Sequence, residues 1–248
     1  MALFTKLWRS GGAAKATLMA GAGGAALAGA VLLRGLAAPT PALAAPAAAV
    51  AAPAVDSPAG GGLQTAVLSG GCFWGMQGVC EHVKGVKQVV AGYAGGQAAT
   101  AHYELVSTGT TGHAESIKIT FDPAEISYGQ ILRIFFSVAT DPTQVGGQYP
   151  DEGPQYRSEI WAMDAGQAKV ASAYIAQLNA AHAFRRPIAT RVDPYQGFFA
   201  AEGYHQDYLV HHPDQPYIAA YDLPKVAALK AAFPTVWRPA PVLTVASR

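Results

Sequence analysis

Between Glu115 and Phe121 the chain alternates strictly: Ile117, Ile119 and Phe121 share one face, and Ser116, Lys118 and Thr120 share the other. A period of two describes a strand with one face in a core and one in water, and Asp122-Pro123 ends it. Such half-buried strands belong to antiparallel sheets. By the same alternation Glu115 falls on the face of Ile117 and Ile119, so a carboxyl group is directed to the buried side.

The neighbouring segments extend this pattern. Thr65–Ser69 and Val86–Tyr93 read as strands, the second closed by Gly95-Gly96. Between them Met76, Val79, Cys80 and Val83 recur at helical spacing. Ser127 can cap a helix running to about Ala139, with Ile131, Leu132, Phe135 and Phe136 as its apolar stripe. Ser158–Met163 reads as a strand, Asp164 caps a helix to about His182, and Ile188–Val192 is a further strand. Asp222 caps a last helix through Lys225 to Ala232, stopped by Pro234. Strands with antiparallel signatures mixed with helices indicate an α+β two-layer domain. The stretches from Asp141 to Gln155 and from Asp193 to Pro216 are long, polar and rich in Gly, Pro and Tyr. Loops of that kind line sites rather than fill cores.

This domain is expected over residues 63–248. The first part of the chain has a different character. Lys6, Arg9 and Lys15 precede an uncharged stretch at residues 16–33, and Ala42-Leu43-Ala44 follows as an A-x-A-like cleavage site. Residues 1–44 are therefore expected to be a signal peptide or an N-terminal membrane anchor, the tether running through residues 16–33. An Ala-rich tail on a cytoplasmic protein is the alternative. Residues 45–62 read as an Ala/Pro-rich linker. Export, to the periplasm, is the expected localisation. Lys6, Arg9, Lys15 and Arg34 against Asp56 give residues 1–60 a net charge of +3, which leaves −2 for the rest of the +1 chain. No basic stripe remains in the domain, so nucleic acid is not an expected partner.

The two cysteines, Cys72 and Cys80, lack the CxxC spacing of a redox dithiol or a zinc site. Cys72 lies in Gly70-Gly71-Cys72-Phe73-Trp74-Gly75, where a strand hands over to a helix. Unsatisfied amides and the helix dipole favour an anion there, so the thiol is expected to ionise below its usual range. Glu115, held in apolar surroundings, has its pKa raised and can donate a proton near neutral pH. Tyr103 and Tyr156 lie in loops, where a phenol either donates to an oxygen or anchors the chain. His113, His205, His211 and His212 show no metal-ligand spacing, and His211-His212 reads as a solvated helix end.

Five motifs in order carry a resemblance: Gly71-Cys72-Phe73-Trp74-Gly75, Gly92-Tyr93-Ala94-Gly95-Gly96, Thr111-Gly112-His113-Ala114-Glu115, Gln155-Tyr156-Arg157-Ser158 and Tyr204-His205-Gln206-Asp207-Tyr208-Leu209. The chain resembles the peptide methionine sulfoxide reductases of the A type, peptide-methionine (S)-S-oxide reductases, over residues from about 64 to 234. The resemblance implies a ferredoxin-like two-layer α/β plait elaborated by long loops. It implies thiol-dependent reduction of the S epimer of methionine sulfoxide, free or in oxidised proteins, through a sulfenic acid on Cys72. Cys72 would be the nucleophile, Phe73 and Trp74 the pocket for the S-methyl group, and Glu115 the acid. Tyr103 and Tyr156 would bind the sulfoxide oxygen, and Asp151 would orient the substrate. No metal or organic cofactor is implied, only an external thiol reductant: a small thiol, or a glutaredoxin-like or thioredoxin-like protein. The enzyme is expected to be a monomer.

The chain departs from the family in two ways. Residues 81–248 contain no recycling cysteine, and one helix would hold the Cα atoms of Cys72 and Cys80 roughly 12 Å apart, beyond the ~7 Å limit of a disulfide. Thr140 stands where the family often has His. Two rival readings are a cysteine hydrolase or acyltransferase using His113 or His205 as base, and a non-catalytic binding protein for oxidised methionine.

Overall fold

The alternating strand lies inside the sheet. The computed structural model describes residues 49–57 and 60–244. Its strands are β1 (Gln64–Ser69), β2 (Val86–Ala94), β3 (Ala114–Phe121), β4 (Gly147–Gln148), β5 (Asp151–Glu152), β6 (Glu159–Ala162), β7 (Arg191–Pro194) and β8 (Phe198–Ala200). Its helices are α1 (Phe73–Glu81), α2 (Tyr103–Val106), α3 (Tyr128–Ile134), α4 (Ala165–Ala180), α5 (Tyr208–His211) and α6 (Leu223–Ala232). Six strands form one sheet in the order β7-β6-β1-β3-β2-β8, and β4 and β5 form a small hairpin. Every pairing in the large sheet is antiparallel except β6 with β7. The architecture is a mixed α/β one.

Register decides what each face carries. Ala66, Ile119 and Val89 lie side by side across β1, β3 and β2, and Leu68, Ile117 and Ala91 form the next row. These rows pack with Met76 and Val79 of α1 in the main core. Full burial of side chains such as Met76 and Val79 stabilises by about 1.5–3 kcal/mol each. Two residues beyond Ile117 on the same face, Glu115 pairs with Tyr93. Strand parity therefore brings this carboxyl to the first turn of α1.

Ser127 caps α3 in a reciprocal capping box with Gln130, and Asp164 caps α4 through the Gln167 amide, as their sequence contexts predict. The strand expected at 188–192 instead starts at Arg191. The amide of Ile188 goes to Asn179 Oδ1 and that of Ala189 to the Pro142 carbonyl, so neither is free to pair with β6. Asp222 does not cap α6; its side chain turns to Lys225 instead.

The expected signal or anchor, including residues 16–33 and Ala42-Leu43-Ala44, lies outside the described residues, as does the start of the expected linker. From 49 to 57 that linker is bound to the domain. Arg133 Nε donates to the Val50 carbonyl, Tyr174 Oη to the Ala51 carbonyl, and the Gln177 amide holds Ala52 and Ala54. Alanine and proline offer no core of their own, but their backbone groups still need partners, and α3 and α4 supply them. Among the described residues no helix is long and apolar enough to cross a membrane.

At the far end of α1, Glu81 is fully buried near Asp207, and its pKa is pushed up to about 9, chiefly by burial and then by the neighbouring Asp207 carboxyl. Unfolded, this group ionises near 4.3. The raised folded value therefore costs stability progressively as pH rises from about 4.5 to 9. Glu81→Gln removes that cost and adds a donor beside Asp207. We expect it to raise stability at pH 7 by about 2 kcal/mol, with the gain vanishing below pH 4.5. Denaturant melts at pH 4.5, 7 and 9 check this, and a variant less stable at pH 7 overturns it.

Candidate active site

Cys72 is the N-cap residue of α1 and is 8% exposed. Gly71, at φ +104°, makes the turn that delivers it, and a Cβ there would strike Gln148. Gln148 accepts from the amide of Asp141 and the hydroxyl of Thr140, at 2.7 and 3.2 Å. Thr140 thus helps fix the wall beside Cys72 and the hairpin that carries Asp151.

The first amide of α1 is not left for the sulfur. Phe73 N–H donates to Glu115 Oε2 at 2.9 Å. Burial pushes the Glu115 pKa up to about 8 against the pull of this bond, and Asp151 and Asp222 push it further in the same direction. Glu115 is therefore an acid at neutral pH, as the buried strand face predicted.

The expectation for Cys72 is overturned. Its pKa stands well above the usual thiol range, first through burial and then through the charges of Glu115 and Asp222. A hydrogen bond from the Trp74 amide and the charge of Lys225 act the other way, and they lose. A helix N-terminus is worth roughly 0.3–2 kcal/mol to an anion, whereas burying a charge costs several. The resting residue is a thiol.

Around this pair the sequence-predicted residues converge. Tyr103 opens α2 and Tyr156 ends the turn at Pro154–Tyr156. Both phenols lie within electrostatic reach of Glu115 and Cys72, and burial raises both pKa values. Asp151 sits in the β4–β5 hairpin with a raised pKa, chiefly from burial, and accepts a hydrogen bond from the Tyr217 hydroxyl. Phe73 is buried against Tyr93 and His205, while half-buried Trp74 stacks on Tyr208 at 3.9 Å and meets the Tyr217 edge at 6.2 Å.

Other members come from the last third of the chain. Gly75 has no room for a Cβ because Asp222 Oδ1 lies against it, with Lys225 Nζ beside it. Asp222 is completely buried, 3.1 Å from Lys225 Nζ, and its Oδ2 has no hydrogen-bond partner. Glu202 accepts from Tyr93 Oη at 2.8 Å and from the Tyr103 amide at 3.0 Å, which anchors α2. His205 Nδ1 accepts from Trp74 Nε1 at 3.2 Å. His113 is held between the Gly96 amide and the Gln97 carbonyl. His113 has both ring nitrogens engaged, the free His205 Nε2 lies 3.9 Å from Glu202 Oε2, and neither imidazole is hydrogen-bonded to Cys72, so the hydrolase reading is not favoured. Only the Tyr204–Leu209 motif signalled part of this group; Tyr217, Asp222 and Lys225 sit in ordinary helix sequence.

Cys80 faces away from the site. It lines a small apolar cavity with Val83, Val86, Ile119, Ile131 and Ile134, and burial and then Glu81 push its pKa up to about 12.

The family model for peptide methionine sulfoxide reductase matches residues 64–235. The chain belongs to the peptide methionine sulfoxide reductase family. Its reaction is the reduction of methionine sulfoxide to methionine. It is 50% identical over 193 residues to peptide methionine sulfoxide reductase MsrA 2 of Mesorhizobium japonicum, covering 78% of this chain and 99% of that protein. A namesake from Synechocystis sp. is 51% identical over 172 residues, 69% of this chain and 80% of that one. Among solved structures it is similar to reduced Mxr1 of Saccharomyces cerevisiae, with a TM-score of 0.56, 28% identity, and 65% and 91% of the two chains covered. Methionine sulfoxide reductase A of Corynebacterium diphtheriae gives a TM-score of 0.53 at 30% identity, covering 62% and 77%.

Because burial, and then two neighbouring carboxyl groups, hold the Cys72 thiol protonated, its alkylation by iodoacetamide should be slow at pH 7 and rise only above pH 9. Asp222→Asn removes one of them and should move that rise to lower pH. Rapid alkylation of the unaltered enzyme at pH 7, or an unmoved profile in the variant, contradicts this account.

Proposed function

We propose that Cys72 reduces the S epimer of methionine sulfoxide directly, with Glu115 as the acid and Tyr103 and Tyr156 as donors to the sulfoxide oxygen. The observation that carries this reading is the buried, protonated carboxyl of Glu115 beside the thiol. A sulfoxide sulfur becomes electrophilic when its oxygen is protonated or strongly hydrogen-bonded. The aromatic walls of Phe73 and Trp74 suit the S-methyl group, and Asp151 would orient the substrate.

In the chemical step Glu115 gives its proton to the oxygen, Cys72 attacks the sulfur, and the thiol proton passes to the Glu115 carboxylate. The hydroxyl on the methionine sulfur takes the proton back from Glu115 and leaves as water, so that the Cys72 sulfur is bonded to a sulfonium. A water then attacks the Cys72 sulfur and returns a proton to Glu115. The S–S bond breaks, methionine leaves as the thioether, and Cys72 is left as a sulfenic acid. Two electrons have moved from the Cys72 sulfur to the methionine sulfur. An external thiol then displaces the sulfenic oxygen as water, and a second thiol releases Cys72 and leaves a disulfide of the reductant. That reductant is a small thiol or a glutaredoxin-like protein, with a thioredoxin-like protein as the poorer donor. No residue of the site calls for a metal or an organic cofactor.

We also read the inner strands as a ferredoxin-like plait. The order β6-β1-β3-β2, with α1 between β1 and β2 and α3 between β3 and β6, supports it. We further infer export to the periplasm, either by cleavage after Ala44 or on a tether through residues 16–33, and action as a monomer on oxidised proteins. The charge pattern of the leader supports the export reading.

Glu115→Gln keeps a hydrogen-bond donor but no transferable proton, so its single-turnover rate should fall about 10²-fold or more. In the unaltered enzyme that rate should decline as pH rises through about 8, where Glu115 loses its proton. A variant as fast as the parent removes Glu115 from the role.

After one turnover without reductant, the intact mass should rise by one oxygen, with one free thiol left. Cys72→Ser should abolish this and Cys80→Ser should not. Loss of two hydrogens with no free thiol would instead identify Cys80 as a resolving residue. The same intact mass, taken on protein made with its leader, reads cleavage after Ala44.

A further inference from the structure

Six rings form a continuous band across the site. From Trp74 one arm runs through Tyr217 and Tyr221 to Tyr149, with centroids 6.2, 5.1 and 5.9 Å apart at successive steps. The other arm runs through His205 to Tyr204, at 5.8 and 4.2 Å. The middle of the band is buried or half-buried, but its ends are open: Tyr149 is 74% exposed and Tyr204 58%. Val145, just before the β4–β5 hairpin that carries Tyr149, is 85% exposed. Single apolar residues on a surface need no explanation. Exposed rings joined end to end with a substrate pocket do.

We propose that the two arms are subsites for the polypeptide on either side of an oxidised methionine, and that they select extended segments with apolar flanking side chains. This rests on the reading of Cys72, Phe73 and Trp74 as the centre that receives the methionine side chain. An extended chain advances about 3.3 Å per residue. Tyr204 and Tyr149 then lie within roughly three to five residues of the methionine. Tyrosine suits an occupant of varied sequence, because a rigid ring offers apolar area and a polar edge at little cost in side-chain freedom. The rims also carry exposed Glu104 beside Tyr103 and Glu152 beside Asp151, which disfavours acidic flanks. Oxidised methionines flanked by apolar residues come from protein interiors, so the band would favour damaged, locally unfolded chains over free methionine sulfoxide.

The test compares kcat/KM for three S-epimer substrates: N-acetyl-methionine-sulfoxide amide, a heptapeptide with Leu and Val around a central methionine sulfoxide, and one with Ser and Gly there. The unaltered enzyme should favour the apolar peptide over the other two about three- to ten-fold per engaged ring. Tyr149→Ser and Tyr204→Ser should each lose that preference through KM while turning over the amide at the parental rate. Equal kcat/KM for all three substrates in the parent, or an equal loss on amide and peptide in the variants, overturns the proposal. Failure of the parent to reduce the amide at all would instead overturn the assignment of the central pocket.

Discussion

One hydrogen bond joins the two halves of the chemistry, from the first amide of α1 at Phe73 to the Glu115 carboxyl at the start of β3. It exists because strand parity leaves Glu115 on the face that α1 covers, two residues from Ile117. Two tendencies compete there. A helix N-terminus favours an anion, and a dry site penalises one. Since desolvation is the larger effect, the amide holds a neutral acid in place without ionising it. The same bond withholds that amide from Cys72, which is one reason the thiol stays protonated.

The crowd of acids around one lysine has a consistent effect. Asp151 and Asp222 raise the pKa of Glu115, and Glu115 and Asp222 raise that of Cys72. Lys225 offsets part of this for Cys72, Asp151 and Asp222. A resting thiolate would be open to oxidation by any small oxidant that reached it. On the proposed mechanism the nucleophile is released when a sulfoxide oxygen takes the Glu115 proton and leaves a carboxylate able to accept the thiol's. Reactivity is thus tied to the presence of substrate.

What could be read in advance was local. The alternation of Glu115–Phe121, the caps at Ser127 and Asp164, and the Cys72 junction each depend on residues a few places apart. Asp222 and Lys225 do not. Three residues apart ahead of Pro234, they have the spacing of a capped helix, and only the chain's return to Gly75 turns them into neighbours of the thiol. Tyr217 was silent for the same reason. The direction of the Cys72 shift could not be read either, because a dipole is a property of the local helix whereas desolvation depends on everything packed around it. The strand at 188–192 began late because Asn179 and Pro142, set by tertiary structure, took its first amides.

The course of the C-terminal segment bears on how an enzyme with a single cysteine in its site can be recycled. Val236 accepts from the Lys84 amide, Arg238 donates to the His82 carbonyl, and Val242 donates to the Glu81 carbonyl. Thr244 donates to Asp207 Oδ1 at 2.9 Å. Trp237 stacks on His82 at 4.6 Å. Most of these contacts lie at or beyond the C-terminal end of α1, a helix about 13 Å long, and the tail comes back only to Gln77 in its middle, which donates to Thr244 Oγ1 at 3.2 Å, while Cys72 lies at its start. The described tail is therefore bound away from the thiol, and Cys80 is sealed into the apolar core between the two ends. Among the described residues no second thiol reaches Cys72, so on the proposed mechanism an external reductant comes through the opening that would admit the sulfoxide. That opening is walled by rings suited to a thioether and edged by carboxylates. An uncharged or cationic thiol meets less repulsion there than an anionic one, so the charge of the reductant, and not only its redox potential, sets how fast the sulfenic acid is removed.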